Sequence, residues 1–242
     1  MKVSALSCLP GLVRGVSRRD RIVRMARVLG VLAGGDAADA ALLAWARSAD
    51  EVYAADGGAD RLVRLGLMPA AVVGDLDSTS MLSRLQELHT ERAIELVHDP
   101  GQSTTDCDKL LAYAARQGHT EITLFGVEGD QIDHVLATLH SAAKASLRVR
   151  IVLRTGIGWV LRMKEEVEVP SRCERRVSML PLADPTAATL AGVRWPLDSA
   201  KLSPTGLSSI SNRASGELVS ASVLQGAALL TVEFPAEELP QW

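Results

Sequence analysis

Two kinds of apolar pattern alternate along the first half of the chain. Short, continuously apolar runs fall at residues 28–33, 52–55, 71–73, 94–97 and 122–125. Between them lie longer segments such as "DAADAALLAWARSAD" and "TTDCDKLLAYAARQG", in which apolar residues recur every three or four positions. Runs of the first kind predict strands and segments of the second kind predict amphipathic helices. Strands alternating with helices of this length predict βαβ units, hence a mainly parallel sheet with right-handed crossovers. Helices on both faces of such a sheet explain why its strands are apolar throughout.

The pattern changes near residues 147–150. "RVRIVLRTG", "GWVLRMKEEVEV", "RRVSMLPL", "GELVSASVLQG" and "AALLTVEF" are short, often alternating, and punctuated by Gly, Pro, Ser and Asn. These runs predict an all-β module, a small sandwich. The fold class is therefore α/β followed by all-β: 25–147 as the parallel-sheet domain and 148–242 as the sandwich. Residues 1–24 carry six basic residues against the single acid Asp20 and match neither half. They are expected to be a disordered extension or a mis-called start, with Met25 a natural initiator before the first strand.

Composition narrows the function classes. A chain of 242 residues, 47% hydrophobic, 23% charged and with a net charge of −3, shows no polyanion-binding balance. With aromatics at 3% there is no base-stacking platform either, so nucleic acid is not an expected partner. No apolar run reaches the roughly 18 residues of a membrane span. Cys8, Cys107 and Cys173 have no paired spacing, which excludes a disulfide framework and a zinc site and fits a reducing, cytoplasmic location.

In an open parallel sheet, ligands bind beyond the carboxyl ends of the strands. Each predicted strand ends there in glycine plus acid: Gly34-Gly35-Asp36, Asp56-Gly57-Gly58, Gly74-Asp75-Leu76-Asp77, Asp99-Pro100-Gly101 leading to Asp106, and Gly126 leading to Asp130 and Asp133. Any one of these is an ordinary turn or helix cap. Repeated along one rim, they crowd carboxylates that need a cation. Mg2+ suits them, since it prefers oxygen and binds through one or two carboxylates plus substrate phosphates. The glycines and the helix N-termini that follow favour phosphate. Asp75 and Asp77 are expected to share one crevice because alternate residues of an extended segment face the same way. Neither a P-loop nor a G-x-G-x-x-G turn is present.

"ADGGADRL" (55–62), "VVGDLDS" (72–78), "GQSTTDCDKLL" (101–111), "GVEGDQIDHVLATL" (126–139), "GVRWPL" (192–197) and "SISN" (209–212) together resemble the thiamine pyrophosphokinase family in order and spacing. The resemblance implies a Rossmann-like domain followed by a β-sandwich domain, a homodimer with shared active sites, and transfer of the diphosphoryl group of ATP to thiamine. It also implies that Asp75, Asp77 and Asp106 hold Mg2+ and carry the chemistry. Asp56, Gly57, Gly58, Gln102 and Thr105 would contact substrate or phosphate, and Gln131 and Asp133 would form the nucleotide loop. Trp195, which read alone is more often a core residue, would stack the thiamine pyrimidine, with Ser211 and Asn212 as its polar contacts.

Two departures stand out. Gln131 replaces a family arginine and Ser103 replaces a frequent acid, so a cation is missing beside the phosphates. Arg61, Lys109 or Arg213 would have to compensate. The departures keep two alternatives open: a diphosphokinase for another hydroxyalkyl heterocycle such as a pterin, and a thiamine- or nucleotide-binding regulatory protein with impaired catalysis. His134 reads as structural, and Cys107 as a small buried hydrophobe at a helix start.

Overall fold

The computed structural model describes residues 26–35, 37–129, 131–239 and 242. The expectations for residues 1–24 and Met25, and for Asp36 and Asp130, lie outside the described residues. All five apolar runs form strands: β1 (Val28–Val31), β2 (Glu51–Ala55), β3 (Ala71–Gly74), β4 (Glu95–His98) and β5 (Glu121–Phe125). The crossover helices are α1 (Asp39–Ser48), α2 (Gly58–Arg64), α3 (Leu82–Thr90) and α4 (Asp106–Arg116), with α5 (Ile132–Lys144) after β5. A sixth strand, β6 (Arg148–Leu153), pairs parallel to β5.

The parallel strands are ordered β6-β5-β1-β2-β3-β4. The chain steps outward from β1 to β4, then returns to the other side of β1. This reversal opens a crevice beyond the carboxyl ends of β1 and β5, the place where such sheets bind ligands. Alternation along β1 shows how the faces are covered. Leu29 and Val31 pack with Leu42, Trp45, Leu62 and Leu85 from α1, α2 and α3. Val28 packs on the other side with Leu110, Leu111 and Ala142 from α4 and α5.

The sheet does not stop at β6. β7 (Gly156–Arg162), β14 (Ala227–Glu233), β9 (Arg176–Pro181) and β12 (Ser209–Arg213) extend it in antiparallel register to ten strands. A second sheet of four, β11 (Leu197–Leu202), β10 (Thr186–Ala191), β13 (Leu218–Gln225) and β8 (Glu166–Pro170), faces that extension. Val177, Met179, Leu230 and Val232 of the long sheet and Ala188, Leu190, Val219 and Val223 of the short one belong to one core, which is the expected sandwich. The expected boundary at 147/148 stands just before β6, the last parallel strand, and antiparallel pairing starts with β7. The two halves differ in pairing pattern while sharing one continuous sheet.

"GWVLRMKEEVEV" reads as a single run in the sequence but supplies two strands in different sheets. β7 ends at Arg162, Lys164 takes φ 69°, and the chain crosses to β8. β10 and β11 escaped the hydrophobic pattern, since "TAATLA" and "LDSAKL" contain few residues of high strand propensity.

Candidate active site

The turns that follow β1, β3 and β5, together with the last residue of β2 and the starts of α4 and α5, line a cavity of about 270 Å3 at the point where the strand order reverses. Asp75, Asp77, Thr105, Asp106, Lys109 and His134 supply its polar wall. Leu32, Ala55 and Val127 supply much of its apolar wall. Backbones approach closely around the cavity. A Cβ on Gly34 would stand 2.1 Å from the carbonyl oxygen of Gly126, and one on Gly58 would stand 2.3 Å from that of Val31, so both positions demand glycine.

Three carboxylates converge here. One oxygen each from Asp56, Asp75 and Asp106 can be chosen so that all lie within 4.8 Å of one another. Asp56 follows β2, with φ 29° and its backbone N–H donating to Val73 O at 3.1 Å. Asp75 follows β3, and Asp106 opens α4. Gly74 leaves room between them: a Cβ there would stand 3.1 Å from Asp56 Cβ and 3.4 Å from Asp106 Oδ1. Asp56 Oδ1 and Asp75 Oδ1 are buried without a hydrogen-bond partner. Oxygen-only donors with unsatisfied buried lone pairs fit a hard divalent cation.

Asp75 and Asp77 both line this cavity, but not through the extended segment that the sequence suggested. The segment is not extended: β3 ends at Gly74, and Leu76 sits in the left-handed region with φ 64°. Asp77 lines the cavity but is exposed, and it stands outside the group of three, where Asp56 takes the remaining place. A turn with one left-handed residue does not preserve the alternation of a strand.

The electrostatics follow from burial and crowding. Burial pushes the Asp56 carboxyl above its ordinary range, and the charges of Asp106, Asp75 and Asp77 push the same way against a Ser78 N–H bond of 3.1 Å. Asp106 is also raised by burial, with Lys109 opposing and Asp75 and Asp77 adding to the rise. Burial acts upward on Asp75 too, but the Gln102 amide at 3.0 Å and the Lys109 charge outweigh it and hold Asp75 below the usual carboxylate range. Lys109 is almost completely buried, its Nζ 3.4 Å from Asp106 Oδ1 and 3.7 Å from Asp75 Oδ2.

Of the cations considered as substitutes for a missing arginine, only Lys109 faces the cavity. Arg61 donates to Asp39 Oδ1 at 2.8 Å and to the carbonyls of Gly34 and Ala37, tying down the turn after β1. Arg213 donates to Glu174 O at 3.0 Å in the sandwich. Thr105 is the N-cap of α4 in a reciprocal capping box with Asp108, so its hydroxyl serves the helix first. Gln131 is the N-cap of α5, and Asp133 is exposed in that helix's first turn. Cys107 is buried, with its thiol pushed up to about 12 by burial, as expected of a packing residue. His134 lines the cavity, closer to the site than its structural reading implied.

Trp195, Ser211 and Asn212 sit on the sandwich half and do not line this cavity. Trp195 is 59% exposed, with the Arg194 guanidinium 5.5 Å from its ring centroid. The Asn212 side chain is buried and committed to the backbone: its amide donates to Trp195 O at 2.7 Å and its oxygen accepts from Trp195 N at 3.2 Å. Asn212 therefore holds Trp195 outward. Ser211 is exposed with φ 58°.

One residue of the site escaped the sequence reading. Asp60, on α2, is buried and accepts from the Ser80 N–H at 2.8 Å, the Ser80 hydroxyl at 2.6 Å and the Thr79 hydroxyl. These bonds anchor the loop that carries Asp75 and Asp77. The available signal was an acid between Ala59 and Leu62 on a helix with an apolar face, with the hydroxyls of "STS" downstream to satisfy it.

A Rossmann-like sheet extended into a β-sandwich, with an acidic, glycine-lined crevice at its switch point, defines an α/β enzyme of the phosphate-handling kind. The thiamin pyrophosphokinase catalytic-domain model matches residues 43–153, and the vitamin B1 binding-domain model of the same family matches residues 164–225. The chain belongs to the thiamin pyrophosphokinase family, whose members are transferases. It is 28% identical over 207 residues to thiamine pyrophosphokinase 1 of Oryza sativa subsp. japonica, covering 73% of this chain and 76% of that one. It is 24% identical over 163 residues to thiamine pyrophosphokinase of Bacillus subtilis (strain 168), covering 65% and 75%. The crystal structure of the Bacillus subtilis enzyme superposes with a TM-score of 0.68 at 20% identity, over 86% of this chain and 99% of that one. Yeast thiamin pyrophosphokinase superposes at 0.70 with 16% identity, over 89% and 88%. At these identities the solved structures speak for the fold alone.

Proposed function

We propose that the chain transfers the diphosphoryl group of ATP to the hydroxyethyl oxygen of thiamine, giving thiamine diphosphate and AMP. The observation that carries this reading is the group Asp56, Asp75 and Asp106 at the switch-point cavity, in a chain whose two halves match the catalytic and the vitamin-binding models of one family. Asp56, Asp75 and Asp106 would hold Mg2+, with Asp77 at the cavity mouth, and the cation would neutralise charge on the ATP polyphosphate. The protein's own work is positioning. Gln102 orients Asp75 through its 3.0 Å bond. Asp60 anchors the loop bearing Asp75 and Asp77. Gly34 lets the turns after β1 and β5 pack backbone to backbone beside the cavity, and Gly58 lets the start of α2 pack on the end of β1.

In the reaction the thiamine hydroxyl oxygen forms a bond to the β-phosphorus of ATP as the bond from that phosphorus to the α-β bridging oxygen breaks. AMP leaves with that oxygen, and a rim carboxylate accepts the hydroxyl proton. The exposed Trp195 indole is a platform for the flat thiamine pyrimidine. Trp195 lies outside its own chain's cavity, which supports a homodimer in which each sandwich serves the other subunit's site. The alternatives of a pterin substrate or a non-catalytic binding protein gain nothing here, because the match to the vitamin B1 binding domain covers the half that would select the substrate. Among the described residues no helix is long and apolar enough to cross a membrane.

The test is a product assay with ATP, Mg2+ and thiamine that follows AMP and thiamine diphosphate together. Equal amounts of both, abolished by a chelator, are expected. Thiamine binding without AMP formation would overturn the catalytic reading.

A further inference from the structure

The least expected side chain at the site is a lysine with almost no access to water. Lys109 is 4% exposed, and its ammonium stands between Asp106 and Asp75, at 3.4 and 3.7 Å. A buried ammonium persists only when paired, because solvation by water must be replaced. Its position is set by rigid structure. The Thr105–Asp108 capping box fixes the first turn of α4, and the ion pair between Asp108 and Lys144 at 3.0 Å ties that turn to α5. Lys109 follows Asp106 by three residues, so both reach one side of the helix.

We propose that Lys109 is the resident counter-ion of the acidic cluster and sets its affinity for a free divalent cation, so that the cation is held firmly only together with the polyphosphate it accompanies. This rests on the reading of Asp56, Asp75 and Asp106 as a Mg2+ site. Asp56, Asp75 and Asp106 with the one ammonium leave a formal charge of −2, and Asp77 at the cavity adds a further negative charge, so the cluster still attracts a divalent cation. Without Lys109 the same cluster carries one more uncompensated negative charge when empty and binds a cation more tightly. With Lys109 present, a cation must compete with an ammonium already hydrogen-bonded to Asp106 and ion-paired with Asp75. Once displaced from the carboxylates, that ammonium faces the cavity, where the charge to be neutralised is that of phosphate oxygens. The cation absent at Gln131 then has its substitute on α4.

The test needs no turnover. Calorimetric titration of Mg2+ alone into wild type, Lys109→Met and Lys109→Arg should show binding about tenfold tighter in Lys109→Met and near wild type in Lys109→Arg, since a neighbouring unit charge is removed in the first and kept in the second. In chelator, Lys109→Met should melt several degrees below wild type, and Asp106→Asn added to it should restore that loss by raising the melt of Lys109→Met more than it raises that of wild type. That double variant also covers the case in which Lys109→Met alone folds poorly. Unchanged or weaker Mg2+ binding by Lys109→Met, or no restoration by Asp106→Asn, would overturn the counter-ion role. If neither wild type nor Lys109→Met bound Mg2+ while the Asp106→Asn restoration held, the metal-site reading would fall instead, and the tuning role with it.

Discussion

Ser80 donates both its backbone N–H, at 2.8 Å, and its hydroxyl, at 2.6 Å, to the carboxylate of Asp60, a residue twenty positions earlier on a different element. This contact joins the start of α2 to the loop after β3, and through that loop it sets where Asp75 and Asp77 stand. Three donors to one buried carboxylate make the contact strong, since hydrogen bonds to a charged group are stronger than those between neutral groups.

Asp60→Ala should therefore cost about 2 kcal/mol of stability and lower turnover by more than it alters ATP affinity. Its acid dependence has a definite sign. Burial pushes the Asp60 carboxyl up, but the Ser80 and Thr79 bonds outweigh it and hold it below the ordinary value. A depressed folded-state pKa contributes stability above the unfolded value, about 3.9, that is lost as pH falls through the folded one. Urea unfolding of wild type and Asp60→Ala should differ fully at neutral pH and converge below about pH 4. A gap independent of pH would remove the charged-carboxylate account.

The rim carboxylates should separate by stability even where they agree in activity. Asp56→Asn, Asp75→Asn, Asp106→Asn and Asp77→Asn are each expected to cut turnover by about a hundredfold or more, the scale on which charge stabilisation of a transition state operates. In chelator, Asp56→Asn and Asp106→Asn should melt higher than wild type, because burial and neighbouring charge make their ionised forms unfavourable. Asp75→Asn should melt lower, since the Gln102 bond and the Lys109 charge favour its ionised form. Thermal melts without metal check all of these signs, and a uniform response would show that the cluster does not act as described.

Trp195→Ala should weaken thiamine binding about tenfold, spare ATP binding and barely change the melting temperature, because the indole is exposed. Asn212→Ala should act differently. Removing a buried amide that satisfies both Trp195 N–H and Trp195 C=O leaves two backbone groups unpaired and costs about 2 kcal/mol. Fluorescence titration with thiamine, set beside thermal melts, distinguishes a ligand contact from a support for one.

Trp242 ties the end of the described chain to α1. Its ring meets Trp45 edge-on at 4.9 Å, its indole N–H donates to Ser48 Oγ at 2.9 Å, and the guanidinium groups of Arg27 and Arg150 each stand 5.8 Å from its centroid. Trp242→Ala should lower stability by about 2 kcal/mol without changing turnover at a temperature where the variant is folded. A loss of turnover matching the loss of stability would show that this end of the sheet is coupled to the crevice.

The sequence by itself determined the alternation of strands and helices, the change to an all-β pattern, and the row of glycine-plus-acid turns along one rim. Those features are local: they depend on the period of apolar residues and on turn chemistry within a few positions. The order of the strands decided what the turns do together. Residues 56, 75 and 106 are far apart in sequence and meet because β2, β3 and the start of α4 share one side of a sheet that reverses between β1 and β5. A single left-handed residue, Leu76, breaks the extended geometry expected between Asp75 and Asp77 while both still line the cavity, Asp56 joins Asp75 and Asp106 in the group of three, and no hydrophobic period signals the sign of φ. The aim of Lys109 into the cavity and the commitment of Asn212 to the Trp195 backbone are likewise consequences of packing between distant segments, which a one-dimensional pattern cannot express.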